Sequence, residues 1–367
     1  MEGILLLEDG TLYRGLGFGG AATRVGELVF NTAMAGYQET LTDPSCEGTV
    51  VNFTYPLIGN YGVSEVDNQS ERVRAAGLVT RDISFRPSNW MSVMTISEWL
   101  EKQGVPGLYN VDTRAITKKI RSGGTLKCVI STEGIGRAAA AALMEQTPLR
   151  ADAMRDAGTK ELRIMPPAAQ RGGGKAPRIA VLDFGATFGA LEGLTGRGCE
   201  LYRFPYGTAA DEILAAEADG LYLSDGPGDP TACAEGIETA RELMEKLPVF
   251  GVGLGHQVLA IASGGRVFKM KFGHHGGNHG VIDLTSGRSV ITAQGHTFAV
   301  DPDSLSGSGM IVTHSNLNDG TVEGLRHMSL PAFSVQFHPE GPPGPNDSKE
   351  LVDRFVAMTR KGGGLHA

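Results

Sequence analysis

Short apolar runs separated by turn residues mark the first third of the chain. Gly3-Ile4-Leu5-Leu6-Leu7 reads as a strand, and Glu8-Asp9-Gly10-Thr11 after it is a hairpin signal. Val50 to Tyr55 is strand-like and stops at Pro56. Val111-Asp112-Thr113-Arg114 opens a helix through Ile120 with Asp112 or Thr113 as N-cap, and Leu126 to Ser131 is a further strand. Residues 1–134 therefore read as a mixed, β-rich domain. Residues 135–176 read as a linker region: an Ala-rich helix, Arg137 to Glu145, precedes the Pro/Gly stretch Met165 to Gly174. The rhythm then changes. Arg178–Asp183 reads as a continuous apolar strand, and further strands at Cys199–Phe204, Gly220–Ser224 and Val249–Val252 alternate with helices. Ile237, Ala240, Met244 and Leu247 share one face of one helix, and Thr208 is placed to cap an earlier one over Ala209–Ala218. This alternation predicts an α/β domain with a mainly parallel sheet over 177–361, ending in a flexible tail, 362–367. Ligands bind such sheets at the carboxyl ends of the strands. The loops after Asp183, Ser224 and Val252 are thus the places to look for chemistry.

Composition narrows the function classes. The 367 residues suit two domains. The 33 basic against 41 acidic residues leave a net charge of −8, which speaks against nucleic acid as a partner. Cysteines 46, 128, 199 and 233 form neither a disulfide framework nor a C-x-x-C zinc pair. No long apolar run predicts a membrane span, and Met1-Glu2-Gly3-Ile4 lacks the pattern of a secretory signal, so a cytoplasmic protein is expected. The 52 glycines fall in short clusters that mark turns and close backbone approaches.

Three loops carry candidate chemistry. Gly251-Val252-Gly253-Leu254-Gly255-His256-Gln257 has the parts of a nucleophile elbow: a strand, a tight glycine-flanked turn and an apolar helix. Its middle residue, Gly253, carries no thiol or hydroxyl. Ser224-Asp225-Gly226-Pro227-Gly228-Asp229-Pro230 exposes backbone N–H groups suited to an oxyanion or a ligand carboxylate. His338-Pro339-Glu340 supplies a base and a carboxylate that could orient it. His274-His275-Gly276-Gly277-Asn278-His279 suggests metal at first sight. Neighbouring histidines rarely converge on one ion, so a turn with hydrogen-bonded imidazoles is expected and no metal. A phosphate-cradling G-x-x-x-x-G-K-[ST] loop does not occur.

In their chain order, Ser224–Pro230, Gly251–Gln257 and His338–Glu340, the three loops resemble a class I glutamine amidotransferase domain. Lys269 to His279 between them, with Phe30 to Glu39, Leu41 to Ser45, Thr54 to Asn60 and Val111 to Arg114, is similar to the carbamoyl-phosphate synthase small-subunit family over nearly the whole chain. The resemblance implies an N-terminal small-subunit domain followed by the amidotransferase domain. It also implies a large-subunit partner that makes carbamoyl phosphate from bicarbonate, with ATP and Mg on that subunit and no cofactor in this chain. In the family an elbow cysteine attacks glutamine, a His moves protons and a Glu orients it. His338 and Glu340 match the last two roles. Ser45, Gly226, Gly228, Leu254, Gln257 and Phe298 match positions that bind glutamine.

The departures cluster at the same site. Gly253 stands at the cysteine position, Gly295 and Thr297 replace the family's Asn and Gly, Asp225 replaces Asn, and Thr187-Phe188-Gly189 replaces a Lys-Arg-Asn stretch. Glycine offers no covalent acceptor. The expectation is a natural small subunit whose own glutaminase is absent or very low and which supports synthesis from ammonia, with glutamine bound, if at all, without hydrolysis. Its rival is a non-catalytic glutamine-binding regulator or scaffold of a large subunit. A third reading is an active glutaminase with another nucleophile, of which Cys46, beside Ser45, is the candidate.

Overall fold

The computed structural model describes residues 2–168 and 175–360. The chain forms two compact units: residues 1–150 with 270–276, and residues 151–269 with 277–367. The Gly-rich part of the expected linker, 169–174, and the expected tail lie outside the described residues.

The first unit is a closed seven-stranded barrel in the order β1-β2-β6-β5-β4-β3-β7. Its strands are β1 (Glu2–Leu7), β2 (Leu12–Gly19), β3 (Thr23–Asn31), β4 (Thr49–Phe53), β5 (Gly77–Val79), β6 (Pro106–Tyr109) and β7 (Leu126–Ser131). The β1–β2 hairpin turns at the expected place, with Leu6 opposite Leu12. Alternation assigns the two faces of β1. Leu5 and Leu7 pack with Ile116 and Ile120, whereas Ile4 and Leu6 pack with Ala140 and Met144. Four helices belong to this unit: α1 (Tyr37–Thr42), α2 (Ile96–Gln103), α3 (Thr113–Gly123) and α4 (Arg137–Gln146). Of the two caps offered for α3, Asp112 serves, accepting from Ala115 N at 2.9 Å. Thr95 and Glu98 cap α2 reciprocally. The Ala-rich helix is therefore part of the first unit's packing rather than a bare linker.

The second unit is built on a ten-stranded mixed sheet in the order β8-β10-β9-β11-β12-β17-β16-β15-β13-β14. Its strands are β8 (Arg163–Met165), β9 (Arg178–Asp183), β10 (Glu200–Pro205), β11 (Gly220–Leu223), β12 (Val249–Val252), β13 (Val267–Asp283, whose residues 270–276 count with the first unit), β14 (Ser289–Val300), β15 (Met310–Asn316), β16 (Val322–His327) and β17 (Ala332–Val335). The five strands from β10 to β17 pair in parallel. The helices are α5 (Met154–Ala157), α6 (Phe188–Thr195), α7 (Ala210–Ala215), α8 (Ala234–Leu243), α9 (Leu254–Ala262) and α10 (Glu350–Arg360).

Both faces of β9 are covered, which explains its unbroken apolar sequence. Ala180 and Leu182 pack with Ile213, Leu243 and Val258; Ile179 and Val181 pack with Leu191, Leu194 and Phe355. Three local expectations are corrected. Helix α7 is shorter than 209–218, and its N-cap is Ala209 rather than Thr208. Thr208 instead accepts from Thr239 Oγ1 through its carbonyl, at 2.8 Å. The histidine run 274–279 lies within β13 rather than in a turn. Residues 163–165, expected as linker, form an edge strand antiparallel to β10. Among the described residues no helix is long and apolar enough to cross a membrane.

Candidate active site

The parallel strands place the three motif loops at one edge. The chain leaves β9 towards β10 on one side and reaches β11 on the other, so the strand order reverses between β9 and β11. Adjacent β12 and β17 are in register with Gly251 opposite Ser334 and Val252 opposite Val335. This register fixes where the elbow and the His338 segment emerge.

Gly253 joins β12 to α9 with φ 55° and ψ −114°. That is the strained turn of an elbow, and an L side chain there carries a conformational cost that glycine avoids. Its N–H donates to Val335 O at 3.0 Å, and Gly255 N–H donates to Ser224 O at 3.0 Å, tying the elbow to both neighbouring loops. Gly255 allows this approach: a Cβ there would lie 2.1 Å from Leu223 O.

Asp225 sits at the centre. Its Oδ1 accepts from Gly226 N at 2.7 Å and from Leu254 N at 2.7 Å. Its Oδ2 is 3.5 Å from His338 Nε2, an ion-pair contact when the imidazole carries both protons. His338 Nδ1 faces Glu340 Oε1 at 3.2 Å. Because the carboxylate accepts, the proton of this bond belongs to Nδ1 and the ring is oriented with Nε2 towards Asp225. Thr187 Oγ1 donates to the same Glu340 oxygen at 2.9 Å while capping α6. Burial pulls the Glu340 carboxyl up, but the His338 and Thr187 interactions outweigh it and hold it below the usual carboxylate range.

The other sequence candidates have varied placements. Gln257 Nε2 donates to Gln336 Oε1 and to Phe298 O, each at 2.9 Å. Phe298 is thus linked to α9 through its carbonyl. Gly228 stands two residues beyond Gly226 with φ 102°. Gly295 and Thr297 lie half-buried on β14. Ser45 lies in the first unit, where its N–H donates to Asp43 Oδ1 at 2.8 Å. A cavity of about 530 Å³ in the second unit, lined by Arg288, Arg326, Arg354 and His314, contains none of the motif residues. Cys199 and Cys233 are fully buried, and burial pushes their thiols up to about 11 and about 12, as suits core side chains rather than nucleophiles. Sequence reasoning missed Thr187 as a partner of Glu340 and the position of Asp225 under the elbow. A Thr N-cap after Asp183-Phe184-Gly185 was the only signal for the first.

Helix α9 holds a second, inert imidazole. His256 is fully buried, with Nδ1 2.9 Å from Ser334 Oγ and no partner for Nε2 among the described residues. Burial, assisted by the charge of His314, lowers its pKa to about 3. The unfolded chain takes up a proton near the ordinary value of about 6.5, which the folded chain refuses. The resulting stability is complete above about pH 6.5 and is lost as the pH falls; at pH 3.5 the expected loss is about 4 kcal/mol. Urea midpoints of the unaltered chain and His256→Gln across pH 7 to 4 test this. The variant is expected to lose most of one proton's worth of slope, and identical slopes would exclude His256 as the cause.

The parallel sheet, the glycine elbow and the paired His338 and Glu340 together define an amidotransferase-type α/β domain in a chain that also holds a β-barrel unit. Family comparison agrees for both parts. Residues 5–130 match the carbamoyl-phosphate synthase small chain, CPSase domain, and residues 180–358 match the class I glutamine amidotransferases. The chain is 49% identical over 358 residues to a carbamoyl phosphate synthase small chain of Clostridium acetobutylicum, covering 98% of this chain and 100% of the relative. It is 44% identical over 371 residues to that of Bacillus caldolyticus, with both chains covered in full. A pyrimidine-specific small chain of Lactiplantibacillus plantarum is 41% identical over 373 residues, again over both full lengths. The chain belongs to the carbamoyl-phosphate synthase small chain family.

Proposed function

We propose that the chain serves a carbamoyl-phosphate synthase as a small subunit that has lost glutamine hydrolysis, so that its complex draws nitrogen from ammonia. The observation that carries this reading is Gly253: the elbow is intact in its backbone, but the residue on it has no atom able to form an acyl intermediate. His338 and Glu340 are then relics of a proton-moving pair without a nucleophile to activate. Ser45, Gly226, Gly228, Leu254, Gln257 and Phe298 would be what remains of the glutamine-binding set. A large subunit would hold ATP and Mg and carry out the phosphorylation chemistry on bicarbonate.

The test is carbamoyl-phosphate formation by this chain with its large subunit, comparing glutamine and ammonium as nitrogen donors. Synthesis from ammonium alone is the expected result. Equal synthesis from glutamine would overturn the reading and require a nucleophile elsewhere.

A further inference from the structure

We propose that Asp225 is an internal occupant of the acyl-binding centre, and that its carboxylate, together with the missing side chain at 253, excludes a carboxamide from the site. The proposal rests on the reading of Gly253 as the vacated nucleophile position. It adds that the vacancy has been filled.

Three observations converge on the one carboxylate. First, Gly226 N and Leu254 N both donate to Asp225 Oδ1 at 2.7 Å. Two backbone N–H groups aimed at a single anionic oxygen make the donor arrangement of an oxyanion hole, the place where a carbonyl oxygen must sit while it gains charge. That place is taken. Second, a Cβ built on Gly253 would lie 2.1 Å from Asp225 Cγ and Oδ1 and 2.6 Å from Oδ2. The carboxylate therefore lies in the volume that any side chain at 253 would need. The two short hydrogen bonds hold it there, so it cannot swing aside without leaving a half-buried and a buried donor empty. Third, Oδ2 is 3.5 Å from His338 Nε2, the nitrogen that would exchange a proton with a nucleophile. One side chain thus meets the hole, the nucleophile's volume and the base.

The residues at 225 and 253 are coupled in consequence. Restoring a thiol at 253 would not by itself restore an acyl site, because thiol and carboxylate compete for one space. Removing the carboxylate first should open both the hole and the volume. The ligand class that would regain access is a primary carboxamide carried on an amino-acid side chain.

The experiment compares Gly253→Cys with the Asp225→Ala/Gly253→Cys pair, using a chloroketone analogue of glutamine as probe. Capture forms a C–S bond, releases chloride and passes the thiol proton to His338. The pair is expected to be captured at least tenfold faster than the single variant. Equal capture of both, absence of capture in both included, would overturn the proposal, as would faster capture of the single variant. Should Gly253→Cys unfold while the pair folds, the competition for space is demonstrated directly. Should both unfold, Asp225→Ala alone decides: calorimetry is expected to show glutamine binding at least tenfold tighter than in the unaltered chain, and unchanged binding would overturn the proposal. Failure of the underlying reading looks different, because the unaltered chain would then itself hydrolyse glutamine.

Discussion

The isolated chain is expected to release ammonia from glutamine at least about 10⁶-fold more slowly than a thiol-bearing site of the same architecture, a difference of at least about 8 kcal/mol in barrier height. The loss of a nucleophile in a comparable acyl-transfer site has this size because nucleophile, base and orienting group act as one unit. His338 can move a proton only if there is a group to take it from, and Gly253 offers none. The non-additivity gives a second, sharper outcome. His338→Ala should lower the residual turnover by less than about twofold, since the unit is already broken. The small catalysis that an empty oxyanion hole can still give, about 10³ to 10⁴ over water, is not expected either, because Asp225 already accepts from both donors. Ammonia release measured with a coupled dehydrogenase separates these cases. Turnover that collapses on His338→Ala would show a working nucleophile and sink the argument.

The sequence made the sheet legible because its strands are buried on both faces. Ile179–Leu182 and Val249–Val252 are apolar runs, and the strands Arg178–Asp183 and Val249–Val252 appear within the predicted limits. The elbow was legible for a different reason: a glycine-flanked turn between an apolar strand and an apolar helix admits few conformations. Helix α7 is shorter than its pattern predicts, and Ala209 stands at its N-cap with no side-chain cap. The histidine run, expected as a turn, lies inside the long strand β13. What no local pattern could give is the placement of Asp225. Its neighbours in sequence are a turn, while its chemical neighbours, Leu254 and His338, arrive from two other strands. Such placement is a property of register, and register is set by the whole sheet.

Asp183→Ala is expected to destabilise the second unit by about 3–5 kcal/mol, read from urea midpoints at neutral pH. The side chain is wholly buried at the carboxyl end of β9, and both oxygens are in use. Oδ1 accepts from Gly185 N at 3.0 Å and Ala186 N at 2.8 Å. Oδ2 accepts from Thr159 N at 2.9 Å and from the Arg203 guanidinium at 2.7 Å. Truncation leaves a mostly buried cation without its counter-charge and strands three backbone N–H groups. The charge and the hydrogen bonds can be separated. Asp183→Asn keeps an acceptor for the loop but cannot balance Arg203, and a loss of about half the alanine value is expected. Asp183→Ala with Arg203→Met removes the stranded cation, and should recover part of the stability but not the part owed to the loop amides. Those amides belong to the segment that leads into Thr187, whose hydroxyl donates to Glu340. Hydrogen exchange at Gly185 and Ala186 should therefore quicken in both Asp183→Ala backgrounds, whatever stands at 203. If the double variant regained full stability and full protection, the carboxylate would be a counter-ion only, and the order of the loop under Glu340 would have to come from elsewhere.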